Sequence, residues 1–195
     1  MHLMSTAGDS AEMTAIMSIS ELPDTIVYGK GRTMTFLRND PYITRNRTSG
    51  EPDAETLYVP PHWHETHDEI IRVVKGQMEI RLGDTTRMYG PEDGEIRIPK
   101  FAIHSLRTLK GVECVFDERT DPMDDEKELF FRNLLSKGKG PTNLLDVMLI
   151  SYHGDTRPGL PGHFIWLERG LVTLIGGYIA PLLGYELAVK SLKKT

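Results

Sequence analysis

The stretch PPHWHETHDEIIRVVKG, residues 60–76, gathers three histidines and three carboxylates between His62 and Glu69. His62 and His64 are two residues apart, so on an extended strand both imidazoles leave the same face while Trp63 leaves the other. Glu69 opens the β-branched run EIIRVV, whose parity puts Ile71 and Val73 on its side. The intervening loop ETHD can return its carboxylate to the two imidazoles. Two neutral imidazoles and a carboxylate suit Fe, Mn, Ni, Co, Cu or Zn. The natural fourth ligand is His104, which follows the Pro-marked turn of EIRIPKFAIHSL at the start of another strand. A chain of this composition would show His-x-His, with Glu five and Gly twelve residues after the second histidine, about 0.002 times by chance.

The other polar residues of the loop have weaker claims. His67 has the parity of a rim residue rather than a ligand, and Glu65 and Asp68 read as solvated charges. Glu65 and His67 are nonetheless the candidates for a proton relay at the mouth of the site. Tyr58 and Phe101 are candidates for a substrate pocket, since aromatic side chains commonly line such sites. Trp63 reads as packing, Arg72 and Arg97 as solvent-facing, Cys114 as a small buried hydrophobe, and His153 and His163 as structural.

The elements that must carry these residues are mostly strands. From Ile26 to about Asp117 the chain shows nine short β-branched or apolar runs, among them TIVYG, RTMTFLR, TLYVP, EIIRVVKG and QMEIRLG, punctuated by Gly, Pro, Asn and Asp. QMEIRL alternates Met78, Ile80 and Leu82 against Gln77, Glu79 and Arg81, and VECVF alternates Val112, Cys114 and Phe116 against its polar positions. Gly83-Asp84 suits a tight hairpin turn. After Thr120 the period changes. DPMDDEKELFFRNLLSKGKG reads as a capped amphipathic helix, PTNLLDVMLISYHG as a second helix from Thr142 or Asn143, and RPGLPG as a linker into a third, apolar helix from about His163. The expected organisation is an N-terminal arm over 1–25, a barrel over 26–119, and a C-terminal helical extension over 120–195 that caps the barrel or forms an interface.

At 195 residues, 39% hydrophobic and 26% charged, the chain has the composition of one folded, soluble domain with an appended subdomain. The net charge of −5, with basic residues scattered apart from KSLKK, makes nucleic acid a poor partner. The single cysteine, Cys114, permits no intrachain disulfide, and a reducing, cytoplasmic setting is expected. The first twenty residues lack a basic n-region and an apolar core, so no targeting signal is expected. Residues 171–185, LVTLIGGYIAPLLGY, are uncharged but short for a span and broken by glycine and proline, so burial or an interface is expected over membrane contact.

HWHETHDEIIRVVKG resembles the first motif of the cupin family, in which His-x-His, three or four residues, Glu, six residues and Gly recur, and DGEIRIPKFAIHSL resembles the second. Four positions depart from the pattern: Thr56 stands for a leading glycine, the interval from Gly94 to Pro99 is one residue short, Phe101 stands for a glycine, and Thr108 for a final Asn. The resemblance covers about Leu57 to Phe116. It implies an all-β jelly-roll barrel with one divalent metal bound by the positions matching His62, His64, Glu69 and His104. Fe(II) is the first choice, with Mn(II), Ni(II) or Zn(II) as alternatives. Two open positions on a six-coordinate ion would support oxygenase chemistry on a small oxygenated molecule, or Lewis-acid isomerase, decarboxylase, dehydratase or cyclase chemistry, in a setting such as secondary metabolism. A non-catalytic binding protein remains a third reading, and a homodimer is expected.

Overall fold

The period-two runs close into two antiparallel sheets. The computed structural model describes residues 17–18, 22–124 and 126–193, so most of the expected N-terminal arm lies outside the described residues. The strands are β1 (Met17–Ser18), β2 (Thr25–Gly29), β3 (Arg32–Phe36), β4 (Thr44–Thr48), β5 (Tyr58–Trp63), β6 (Asp68–Lys75), β7 (Met78–Leu82), β8 (Thr85–Tyr89), β9 (Glu95–Ile98), β10 (His104–Thr108), β11 (Cys114–Asp121), β12 (Arg157–Pro158) and β13 (Leu192–Lys193). One sheet has the order β12-β5-β10-β7-β8 and the other β2-β3-β4-β11-β6-β9, while β1 and β13 form a separate parallel pair. Ile71, Val73, Met78, Ile80, Ile98, Leu106, Cys114 and Phe116 meet between the sheets as the barrel core. Each such burial is worth about 1.5–3 kcal/mol for the larger aliphatic and aromatic side chains.

Two strand features go beyond the sequence expectation. TRNRT forms β4, with Thr44, Asn46 and Thr48 buried and the two arginines turned outward. Its inward face is polar, so a search for apolar alternation passes over it. β11 runs on to Asp121, past the apolar VECVF. It is held there by register pairs with β6 that include Glu118 with Ile71 and Thr120 with Glu69. Outside the barrel, Asp117 is buried and accepts hydrogen bonds from Arg45 Nε (2.7 Å), Arg45 Nη2 (2.9 Å) and Arg72 Nη2 (2.7 Å), tying β4, β6 and β11 together.

The tail forms α1 (Lys127–Leu134), α2 (Leu144–His153) and α3 (Ile165–Leu174), the last continuing through a π-helical turn at Ile175–Ile179 into α4 (Ala180–Leu182). Asn143 caps α2, accepting from the Leu145 amide at 2.8 Å. α1 lays Phe131 and Leu135 against Tyr28, Met34 and Phe36 of β2 and β3, and so closes one side of the barrel. RPGLPG is more than a linker, because Arg157 and Pro158 add an edge strand beside Trp63 and His62. Along α3 and α4, Trp166, Leu174, Tyr178, Leu182 and Leu183 are exposed. Among the described residues no helix is long and apolar enough to cross a membrane.

The glycine twelve residues after His64 has a steric reason. Gly76 turns the chain from β6 to β7 at φ +75°, and a Cβ there would sit 1.8 Å from the carbonyl oxygen of Glu113. Gly111 has a similar φ of +73° but open space around it. Gly76→Ala is therefore expected to destabilise by about 3 kcal/mol and Gly111→Ala by about 1 kcal/mol, read from urea midpoints at unchanged slope. Equal effects of the two would contradict the steric reading.

Candidate metal centre

His62 sits on β5 and His104 opens β10, paired directly with it, so one sheet presents both imidazoles side by side. Their ring centroids are 4.1 Å apart. His64 lies just past the end of β5, 5.1 Å from His62 and 5.4 Å from His104 between ring centroids. Glu69 reaches in from β6 of the opposite sheet, so the four residues bridge the two walls of the barrel. One nitrogen from each histidine and one oxygen of Glu69 lie within 4.8 Å of one another, and all four residues are buried.

The departures from the cupin motif have local substitutes. Phe101 takes φ +64°, the left-handed conformation that glycine adopts without strain, and its amide donates to the His64 carbonyl at 2.7 Å. Thr108 is buried and accepts the Leu57 amide through Oγ1 at 2.9 Å, tying the end of β10 to the segment leading into β5.

Each imidazole is oriented from behind by a backbone carbonyl, which can only accept. Nδ1 of His62 faces Pro60 O (2.9 Å), Nδ1 of His64 faces Asp155 O (2.7 Å), and Nδ1 of His104 faces Ala102 O (2.9 Å). In His62 and His64, whose pKa values are depressed, the ring proton is thus committed to Nδ1, leaving the Nε2 lone pair for the interior. Yet Nε2 of His64 and of His104 lie 3.3 and 2.7 Å from the same oxygen, Glu69 Oε2. Burial, with the Lys127 charge added, lowers His64 to about 4, outweighing the attraction of Glu69, so this ring is neutral at physiological pH. Burial and the neighbouring His104 and His64 hold His62 well below its usual value. Burial works against the Glu69 carboxylate, but His104 and His64 outweigh it and keep the group well below the ordinary range. The neutral His62 and His64 rings, the Glu69 carboxylate and the adjoining His104 ring together offer four donor atoms to one cation. The donor set, three imidazole nitrogens and one carboxylate, fits a divalent transition metal.

Of the proposed relay residues, His67 is buried and stacks on His64 with centroids 4.5 Å apart. Its Nδ1 lies 3.2 Å from Asp155 Oδ2. Asp155 also accepts from the Glu65 amide (3.1 Å), the Thr66 amide (2.8 Å) and Thr66 Oγ1 (2.6 Å). Burial opposes ionisation of Asp155, but the His67 and Thr66 hydrogen bonds hold it well below the usual range. Glu65 turns away from the interior to Arg169 Nη2 (2.5 Å) and Arg157 Nη2 (3.7 Å), which removes it from the position a relay needs.

A cavity of about 440 Å³ opens onto His62, His64 and Glu69. Tyr58 lines it and Phe101 does not; the Phe101 ring instead packs on Trp63 at 5.8 Å. Trp63 is fully buried on the outer face and donates from Nε1 to Glu168 Oε2 at 2.6 Å. His163 joins the same carboxylate at 3.0 Å through Nδ1, fastening α3 to the barrel.

Three charged residues of the cavity wall carry no claim in the sequence reading, Arg32, Glu118 and Lys127. Burial, reinforced by the Glu69 charge and opposed by Lys127, raises Glu118 to about 8. Its signal was parity, for Cys114, Phe116, Glu118 and Thr120 continue one inward face of β11. Lys127 shares a helical face with Phe131 and Leu134, but it sits in the charged run DDEKE, which masks that spacing.

Two antiparallel sheets thus close on one another as a jelly roll, with His62, His64, Glu69 and His104 gathered at one mouth, the arrangement that the resemblance to the cupin motifs implies. No protein-family model matches the chain. A curated oxidoreductase of Arthrobotrys oligospora is 26% identical over 150 residues, 65% of this chain, and the chain spans 56% of that relative's length. Similar solved structures include KdgF from Halomonas sp. (24% identity, TM-score 0.39, 49% of this chain and 83% of that one). The polyketide cyclase RemF of Streptomyces resistomycificus is another (29% identity, TM-score 0.36, 48% and 66%).

The depressed histidines give the metal-free protein an acid-labile stability. His64 has its ordinary value of 6.5 in the unfolded chain and about 4 when folded, so between those values the unfolded state takes up a proton that the folded state refuses. The melting temperature of the metal-free protein is expected to fall as pH drops from 6.5 towards 4, and less steeply in His64→Gln. Parallel curves for the two proteins would contradict the assignment.

Proposed function

We propose that the chain is a metal-dependent cupin enzyme acting on a small oxygenated organic molecule, with oxidation by O2 as its first reaction. The observation that carries this reading is the inward convergence of three imidazoles and Glu69, with the His64 proton committed to the Asp155 carbonyl. A metal there, Fe(II) by first choice and otherwise Mn(II), Ni(II) or Zn(II), would supply Lewis acidity and, if redox-active, access to O2. The chain's own residues do the rest. Leu57, Val59, Leu106 and Phe116 exclude water beside the site, and α1 covers the opening with Phe130 and Phe131. The Arthrobotrys relative, named an oxidoreductase, supports the redox direction.

One observation favours a second, non-redox reading as an isomerase, dehydratase, decarboxylase or cyclase. Glu118, held at about 8, keeps its proton at neutral pH and can deliver it to a substrate oxygen or carbon in the cavity. A place in secondary metabolism suits either reading. The exposed face of Trp166, Tyr178 and Leu182 is where a second copy of the chain would pack in the proposed homodimer.

Metal analysis of the purified protein tests the first claim. Equimolar metal is expected in the wild type and none in the His62→Ala, His64→Ala double variant; unchanged stoichiometry would sink the assignment. With Fe(II) loaded, substrate-dependent oxygen uptake is expected under the redox reading. Its absence, together with a loss of turnover of roughly a hundredfold or more in Glu118→Gln, would favour the second reading. Tight ligand binding without turnover would favour a sensor.

A further inference from the structure

The cavity wall holds a cation with no carboxylate in contact, and Glu118, which lines the same cavity, keeps its proton at neutral pH. Lys127 is 2% exposed, on the first turn of α1, and it lines the cavity. Its Nζ makes one hydrogen bond among the described residues, to Nε2 of His67 at 3.4 Å, with Phe130 and Phe131 rings at 4.7 and 5.8 Å from the nitrogen to the centroids. No described carboxylate lies within 4 Å of it. The other cation of the wall, Arg32, is already engaged by the carbonyls of Thr56 (3.0 Å) and Tyr28 (3.1 Å). The His67 ring that receives Lys127 is fixed from behind by Asp155, so the Asp155–His67–Lys127 line holds the ammonium at the cavity wall.

A buried ammonium is costly without a charged partner, and a single 3.4 Å contact to the His67 ring compensates it only in part. The rest of the lining is mostly hydrocarbon, including Leu57, Val59, Leu106, Phe116 and Leu134. We infer that the ligand of this cavity is a hydrophobic organic acid, its carboxylate paired with Lys127 and its apolar body lying among those side chains. The inference deepens the proposed function by naming the substrate class and a specificity residue. It rests on that reading only for the reaction, since the lysine and the cavity belong to the chain with or without metal.

The test uses two probes of matched shape, 1-naphthoate and the neutral 1-naphthamide, titrated calorimetrically into the full chain, both zinc-loaded and stripped of metal by a chelator. In both forms the wild type is expected to prefer the carboxylate by roughly tenfold or more, as a buried charge pair implies. The preference is expected to collapse in Lys127→Met with naphthamide affinity unchanged, and to return in part in Lys127→Arg. Equal affinity for the two probes, no binding of naphthoate, or a preference that survives in Lys127→Met overturns the inference. If Lys127→Met does not fold, the wild-type comparison and Lys127→Arg still decide. Failure of zinc to bind, with the carboxylate preference intact, would remove the metal reading and leave this one standing.

Discussion

The architecture turns on how three buried imidazoles are held from behind so that each presents Nε2 to one interior point. The carbonyls of Pro60, Ala102 and Asp155 each face an Nδ1. Three Nε2 atoms are thereby turned towards one point at which Glu69 arrives from the other sheet. Such an arrangement has no purpose in packing. It gathers three imidazole nitrogens and a carboxylate in a buried site, a donor set that suits a shared cation. The pairing of β5 with β10, the turn at Gly76 and the strained backbone at Phe101 serve that convergence.

The helical extension belongs to the site rather than beside it. Asp155 supplies the carbonyl that orients His64, and its carboxylate organises the loop of Glu65, Thr66 and His67. Glu168 anchors Trp63 and His163, so α3 is fastened to the strand end that carries the first two candidate ligands. α1 closes the cavity and brings a lysine into it. The barrel alone would hold the ligand set; the extension determines the chemistry of the space in front of it.

How much of this was legible in the sequence follows from what each residue reports locally. His62, His64 and Glu69 stood out because strand parity and the spacing from His64 to Glu69 and Gly76 are short-range signals, and His104 because a Pro-marked turn precedes it at the start of a strand. The start of α2 was legible from its cap, Asn143, whereas α1 and α3 begin after Glu126 and Phe164 with no side-chain cap. β4 was not, because its buried face is Thr44, Asn46 and Thr48. Glu65 and Phe101 were misplaced because a loop residue's neighbours are set by distant partners, here Arg169 for the first and Trp63 for the second. Asp155, ninety residues from the loop it orders, carries no sequence signal at all. Glu118 does carry one, the parity of β11, masked because that inward face turns from apolar to charged after Phe116.

The fold, the tautomers and the cavity converge on one claim, that His62, His64, Glu69 and His104 share a single ion. The most direct measurement is a crystal of the protein grown with Mn(II) and analysed by anomalous scattering at the manganese edge. The account predicts one strong peak within about 2.0–2.3 Å of one nitrogen from each histidine and an oxygen of Glu69. A map with no peak among those atoms, or with its peak among His64, His67 and Asp155 instead, would contradict it.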